Sequence, residues 1–331
     1  MIRPNTVFPF RDVVLIADKL DESDKLTPIH KRRDLEMTDA QTLDTLRSTI
    51  NSLGLRVHTY SGPDVLAENA ALHSNDIVLS IYGGRASRNR MALVPAICET
   101  FGLRFIGPDV YGRIAAQDKE ITKRLASDCG VVTPAWRVVR STEDLRYISG
   151  LRLPVVIKPL MEGSSIGIAQ RNCVVDATDV PPLAKELLET FNQPILIEEF
   201  VAGREVAYSK IEYAGTESWA FSEVVIEGDD DYFTNRLFDA NEKLIPTVGR
   251  TVRNIDHELH TNDRAAIDTF LTMFGPYGYC RVDGRLADGN FHFLELTPDA
   301  WIAPRGQFAR GFTEKGWSYA DVIAAVLASV G

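Results

Sequence analysis

The chain contains no GxxxxGK[ST] run and no GxGxxG run. A P-loop and a dinucleotide fingerprint are therefore excluded, since both need a glycine loop that opens directly into a helix. Its four cysteines (Cys98, Cys129, Cys173 and Cys280) are widely separated, with no CxxC spacing, which fits a reduced compartment better than a disulfide framework. The run Asp256-His257-Glu258-Leu259-His260 sets its histidines three apart rather than four. It is therefore not an HExxH zinc pair, and it reads as polar entry to a helix. His30, His58, His73 and His292 are expected to form no ligand cluster. No apolar run approaches the ~20 residues of a membrane-spanning helix, and the N-terminus lacks a signal-peptide core. A cytoplasmic protein with no membrane partner is the expectation. Positive charge is in deficit: the net charge of −10 argues against a nucleic-acid or anionic-membrane surface as main partner. Internal repeats and low-complexity linkers are absent as well.

What is present is ordinary globular chemistry. The 331 residues are 45% hydrophobic and 25% charged, enough for two or three domains each with a core. The first third alternates strand and helix: strands at 13–17, 56–60, 77–82 and 104–106, helices at 42–53, 63–73 and 91–101. This predicts an open, mostly parallel α/β domain over residues 1–117. A helix at 118–129 opens a small α+β module over 118–203, with strands at 135–139, 155–157, 166–169 and 195–200 and helices at 142–148 and 183–191. The remainder, 204–331, predicts strands at 206–213 and 218–226, an acidic turn at Asp229-Asp230-Asp231, and an irregular stretch to Pro246. A helix at 263–274, a hairpin over 279–297 and a last helix at 319–330 follow.

Three segments carry chemistry. In 153–167 an apolar strand delivers Lys158 to a loop reading Glu162-Gly163-Ser164-Ser165, and a second apolar run leaves it. A fixed positive charge, hydroxyls and open backbone N–H groups suit a polyphosphate; a plain hairpin tip is the other reading. In the hairpin, period-two alternation puts Arg281 and Asp283 on one face and Glu295 and Thr297 on one face of the partner strand. With Asp288-Gly289-Asn290 as the loop, Asp283 falls opposite Glu295. Opposed carboxylates of this kind suit Mg²⁺, the alternative being a solvent-facing hairpin paired with Arg281 and Arg285. The third is the crossover Glu198-Glu199-Phe200-Val201 to Glu205, where backbone could read adenine and Glu205 could hold ribose; a solvated acidic surface is the alternative.

In order, Asp118-Lys119, Lys-Pro-x-x-Glu-Gly-Ser-Ser-x-Gly, Glu-Glu-Phe-x-x-Gly-x-Glu, Arg-x-Asp and Glu-x-Thr resemble the ATP-grasp superfamily, in its D-alanine–D-alanine ligase branch, over nearly the whole chain. The resemblance implies an ATP-grasp fold: an N-terminal α/β domain, a small central lid and a C-terminal antiparallel sheet. It implies ATP held by Lys119 and Lys158 under the loop Glu162, Gly163, Ser164 and Ser165, with adenine against Glu198, Glu199, Phe200 and Val201 and ribose on Glu205. It places one or two Mg²⁺ ions (Mn²⁺ being an acceptable substitute) on Asp283, Glu295 and Thr297. Arg281 would stabilise an oxyanion, Arg236 would face the γ-phosphate, and Ser164 would order the first substrate. The reaction implied joins a small-molecule carboxylate to an amine, an amino acid, through an acyl phosphate, releasing ADP and phosphate. A homodimer is the expected assembly.

The chain departs from the family where substrates bind. Glu-x-Asn-Thr-x-Pro-Gly is here Glu295-Leu-Thr297-Pro-Asp299-Ala-Trp301, so that a hydroxyl replaces a carboxamide ligand unless Asp299 helps. His-Gly-x-x-Gly-Glu-Asp is Tyr82-Gly-Gly-Arg85-Ala-Ser-Arg88-Asn-Arg90, an acidic loop turned basic. Leu237 stands near an expected tyrosine, no N-terminal glutamate is identified, and Gly306, beside Arg305, replaces a serine. Tyr82, Arg85, Arg305 and Gly306 are the candidate substrate residues. These departures point to a ligase for another acid and amine in specialised metabolism. A genuine D-alanine–D-alanine ligase, an enzyme that cyclises one substrate, and an inactive ATP-binding regulatory module are the alternatives.

Overall fold

The computed structural model describes residues 8–19, 27–28, 32, 34–84, 88–213, 216–244 and 249–329. The first region is a four-stranded parallel sheet of order β2-β1-β3-β4, from β1 (Asp12–Ile16), β2 (Arg56–Tyr60), β3 (Ile77–Ser80) and β4 (Arg104–Phe105). β1 reads Asp-Val-Val-Leu-Ile and is buried along its whole length, as a parallel strand covered on both faces requires. Helix α1 (Ala40–Ser52), capped by the Asp39 side chain on the Thr42 N–H, covers one face. Helices α2 (Pro63–Asn69) and α3 (Leu93–Phe101) cover the other.

The chain then runs through α4 (Val110–Gln117) and α5 (Lys119–Asp128) into a second, antiparallel sheet of order β5-β8-β6-β7. Its strands are β5 (Trp136–Val139), β6 (Val155–Pro159), β7 (Cys173–Val174) and β8 (Ile195–Glu199). Its core is closed by α6 (Val180–Phe191), whose Val180, Leu183, Ala184, Leu187 and Phe191 form the buried stripe. The third sheet, order β11-β10-β9-β12-β13, is antiparallel: β9 (Arg204–Tyr213), β10 (Thr216–Ile226), β11 (Arg250–Asn254), β12 (Tyr279–Ala287) and β13 (Asn290–Thr297). Helices α7 (Ala240–Leu244), α8 (Thr261–Thr272), α9 (Gln307–Thr313) and α10 (Tyr319–Ala328) complete the chain. One cluster joins β1 and β3 to Phe308, Val322, Ile323 and Val326 of α9 and α10. Another packs Ala115, Ala116 and Ala126 of α4 and α5 against Phe270, Phe291 and Phe293, so both outer sheets share helices with their neighbours.

Several elements differ from the sequence reading for identifiable reasons. Residues 166–169 are not a strand. Ser164, Ser165 and Gly167 take left-handed backbone (φ 49°, 58° and 78°), and two tight turns follow, with Ile166 N–H on the Gly163 carbonyl and Ile168 N–H on the Ser165 carbonyl. Helix α4 was missed because it carries Gly112 in its interior; a Cβ there would stand 2.7 Å from the Phe274 carbonyl oxygen, so close helix contact demands the glycine. Strand β11 has only one buried apolar residue, Val252, and α7 is five residues long, too short to show a period. The hairpin turn has two residues rather than three. Asp288 and Gly289 are both left-handed and Ala287 pairs with Asn290, the Asp-Gly turn that matches strand twist. A bulge between Asp283 and Gly284 adds back the missing residue, and Asp283 still faces Glu295.

Phe270 is fully buried and meets Phe274 and Phe293 edge-on at 5.2 Å each. Phe270→Ala should cost about 3–5 kcal/mol, read as a lower urea midpoint at unchanged slope.

Candidate active site

A cleft of ≈ 370 Å³ lies among the three sheets. At one end β6 brings in Lys158 and β8 brings in Glu198, 6% and 2% exposed. Lys158 is ion-paired to Glu198, whose second oxygen lies 2.7 Å from Lys123 Nζ, itself fully buried. Lys123 also donates to the Thr133 hydroxyl at 2.8 Å. Burial and the neighbouring Lys158 push Lys123 down to about 8, against the pull of Glu198. Burial works to raise Glu198, but Lys123 and Lys158 outweigh it and hold the carboxyl below its ordinary range. Lys119, first residue of α5 after the Asp118 cap, sits 3.2 Å from Glu295 Oε2 and donates to the Glu162 carbonyl.

The β12–β13 pair forms the cleft's far wall. Arg281 faces Thr297, and Asp283 faces Glu295. Arg281 grips Asp283 with two hydrogen bonds, 2.5 and 2.9 Å, and the Thr297 hydroxyl donates to Asp283 Oδ2 at 3.2 Å. Burial opposes ionisation of Glu295, yet Lys119, Lys158 and Lys243 bring it down to about 2. Two hard carboxylates facing each other across paired strands, one hydroxyl beside them, fit a magnesium ion. Asp299 is engaged elsewhere: its Oδ2 takes the Arg113 guanidinium at 2.6 Å, both side chains being buried.

A family model described as D-ala D-ala ligase C-terminus matches residues 125–328. The chain belongs to the D-alanine–D-alanine ligase family. It is thereby an ATP-grasp carbon–nitrogen ligase. The D-alanine–D-alanine ligase of Cupriavidus necator is 25% identical over 287 residues, covering 85% of this chain and 84% of that protein. That of Corynebacterium urealyticum is 28% identical over 261 residues, 76% and 69% of the two chains. In fold, the Bacillus anthracis D-alanine–D-alanine ligase complexed with ATP superposes with a TM-score of 0.71 at 17% identity, over 97% of each chain. The Enterococcus faecalis VanG D-Ala:D-Ser ligase gives 0.70 at 15%, over 96% and 98%.

The ligase's cleft brings together Lys158, Glu162, Gly163, Ser164, Ser165, Glu198, Glu199, Phe200, Val201, Glu205, Arg281, Asp283, Glu295, Thr297, Tyr82, Arg305 and Gly306. Several of these are already committed within the protein. Glu199 holds Arg152, at 2.7 Å. Glu205 pairs with Arg285 at 2.6 Å, and the Ser165 hydroxyl donates to the Phe238 carbonyl. Gly306 abuts Trp301: a Cβ would lie 2.8 Å from that residue's carbonyl oxygen. Arg236 is not brought in; exposed, it lies over the Tyr232 ring at 4.7 Å. The cleft's cations from this stretch are Lys243 and Arg250 instead. Burial lowers Lys243's proton affinity, against the pull of Glu295. Arg85 lies outside the described residues.

Three residues of this cluster are absent from the sequence reading, and a fourth, Arg90, figures there only as part of the basic loop. Lys243 was hidden by the shortness of α7. Lys123 had a visible signal, one helical turn after Lys119. Glu36 lines the cleft and accepts the Gly163 N–H at 2.8 Å. Arg90 is buried beside it at 2.7 Å. The histidine expectation is corrected too: His58, His73 and Asp76 come together. His73 is satisfied without a metal, its ring nitrogens being 2.8 Å from Tyr60 Oη and Asp76 Oδ2. No helix among the described residues is long and apolar enough to cross a membrane.

Glu295 sits near 2 in the folded protein against an ordinary 4.5. Its contribution to stability is complete above the higher value and is lost as pH falls toward the lower. Urea unfolding at about pH 6 and about pH 3 should show a smaller acid loss in Glu295→Gln than in the wild type.

Proposed function

We propose that the ligase joins two small amino acids of the D-alanine class into a dipeptide at the expense of ATP. The observation that carries this is the meeting of Lys119, Lys158, Lys243 and Arg281 around the facing carboxylates Asp283 and Glu295. Such an array binds a polyanion and leaves a directed positive field at its transferring end. Mg²⁺ on Asp283 and Glu295 would neutralise phosphate charge and polarise the transferring group. Lys119 and Lys158 hold the phosphates, and Lys243 faces the γ-phosphoryl end. A carboxylate oxygen of the first amino acid attacks phosphorus, and ADP leaves. The second amino acid's nitrogen then attacks the acyl carbon, loses its proton, and phosphate departs; Arg281 stabilises the oxyanion in between. Phe200 and Val201 are assigned to adenine and Glu205, steadied by Arg285, to ribose.

The relatives' names support D-alanine over the altered substrate expected from the sequence departures, and local packing accounts for two of those departures. Arg90 is engaged by Glu36 and Glu162, and Gly306 is required by the Trp301 carbonyl. A second reading, a different acid–amine pair, is favoured by Arg250, a cation in the cleft with no ion pair among the described residues. ATP, a reduced set of cysteines (all four are free) and the soluble chemistry of the reaction suit the cytoplasm. We assign the boundaries 117/118 and 203/204 to the three functional regions, and a homodimer as the assembly.

With ATP, Mg²⁺ and D-alanine, mass spectrometry should find the dipeptide together with ADP and phosphate. Turnover only with other pairs would select the second reading, and ATP binding without ADP release from any pair would overturn ligation. Asp283→Asn should abolish turnover. Lys243→Ala should lower kcat about 10²–10³-fold, while Arg236→Ala should stay within about twofold, as expected of an exposed side chain away from the cleft.

A further inference from the structure

The basic loop that replaces the family's acidic one ends in a residue whose position is unusual for an arginine. Arg90 is 4% exposed. Its guanidinium reaches Glu36 Oε2 through Nε at 3.1 Å and Nη2 at 2.7 Å. The same Nη2 reaches the Met161 carbonyl and Glu162 Oε2, each at 3.1 Å. Glu36 spends its other oxygen on the Gly163 N–H at 2.8 Å. Glu162 spends its other oxygen on Gln193 Nε2 at 2.6 Å, and the Gln193 carbonyl takes the Met161 N–H at 2.8 Å. The polar groups at the root of the phosphate loop are thus held by Arg90, Glu36, Gln193 and Lys119. The glycines at this seam are sterically required. A Cβ at Gly163 would lie 2.4 Å from Glu36 Oε1, and one at Gly83 would lie 2.7 Å from the Glu36 backbone.

A buried carboxylate (Glu162) beside a partly buried one (Glu36) meets repulsion and resists ionisation unless a cation lies between them. Arg90 is that cation, and its guanidinium meets Glu36, Glu162 and the Met161 carbonyl at once. Just beyond this root the backbone turns left-handed at Ser164 and Ser165, a conformation that costs roughly 1–2 kcal/mol per non-glycine residue and persists only when its surroundings impose it.

We propose that Arg90 is a positioning residue for ATP, clamping Met161–Gly163 to Glu36 of the N-terminal region so that the strained serine turn presents its N–H groups to the phosphates. It rests on the ATP-dependent ligase reading and goes beyond it, since it assigns a role to an arginine that holds the protein groups Glu36, Glu162 and the Met161 carbonyl.

The test measures equilibrium binding of ATP, without turnover, for wild type and for Arg90→Met, Arg90→Lys and Glu36→Gln, alongside thermal midpoints and Michaelis constants. Arg90→Met should weaken ATP binding at least tenfold while the amino-acid KM moves less than threefold. Arg90→Lys and Glu36→Gln should fall between it and wild type, and they carry the test if Arg90→Met does not fold. ATP affinity within twofold of wild type in all three variants would overturn the proposal. So would a rise confined to the amino-acid KM, or ATP losses that merely follow the loss of thermal midpoint with no rescue by lysine. A wild-type protein that failed to bind ATP would instead overturn the ligase reading itself.

Discussion

One carboxylate shared between two buried lysines organises this molecule. Glu198 lies between Lys123 and Lys158, and the three side chains come from α5, β6 and β8. Taking such charges out of water is costly, and the cost is tolerable only while all partners remain. The arrangement makes the position of Lys158 a property of the fold rather than of a flexible side chain, because β6 and β8 are adjacent strands and Lys123 is anchored again at Thr133. Lys119 lies one turn before Lys123 on the same helix, so the helix that completes the triad also sets the cation that meets Glu295. Under the proposed function, the charge assigned to phosphate is thereby in place before any phosphate arrives, which is what electrostatic preorganisation requires.

The facing carboxylates follow a different logic, that of strand register. Asp283 and Glu295 are brought opposite by a two-residue Asp-Gly turn followed by a bulge. A three-residue loop with no bulge gives the same pairing, so the sequence reading reached the right juxtaposition through the wrong geometry. That is instructive about what a sequence reveals. Period-two alternation fixes which residues share a face, and total spacing fixes who meets whom, but the place where the extra residue is absorbed depends on packing. Here Phe291 and the His292 carbonyl crowd Gly284, where a Cβ would lie 2.4 and 2.5 Å away, and the bulge sits at that glycine.

Elements with long apolar periods, such as β1, α6 and α10, were legible, as was the order of motifs that marks the family. The missed pieces share a physical cause. α4, α7 and β11 are short or polar, and are stabilised by contacts with distant segments rather than by their own pattern. Arg236 and Lys243 illustrate the consequence for the site: both lie in a stretch with no visible period, and only the fold decides which of two basic residues seven positions apart enters the cleft. Glu36 escaped for the same reason, since it precedes α1 by four residues in a segment without regular structure.

The departures from the family also divide by physics. A residue facing ligand can change only with the ligand, whereas a residue facing protein can change with its neighbours. Arg90 and Gly306 belong to the second kind: one guanidinium answers two carboxylates of this chain, and one missing side chain answers a carbonyl 2.8 Å from where its Cβ would be. Thr297 is intermediate, because its hydroxyl donates to Asp283 and so orients a carboxylate even where it is a weaker ligand than a carboxamide. Arg250, a cleft residue outside those departures, is balanced more weakly: burial and Arg305 act against its charge, Glu242 favours it, and its Nη1 donates to the Glu242 carbonyl at 2.9 Å. A cleft cation that makes no ion pair among the described residues is the feature through which a substrate would express its own charge.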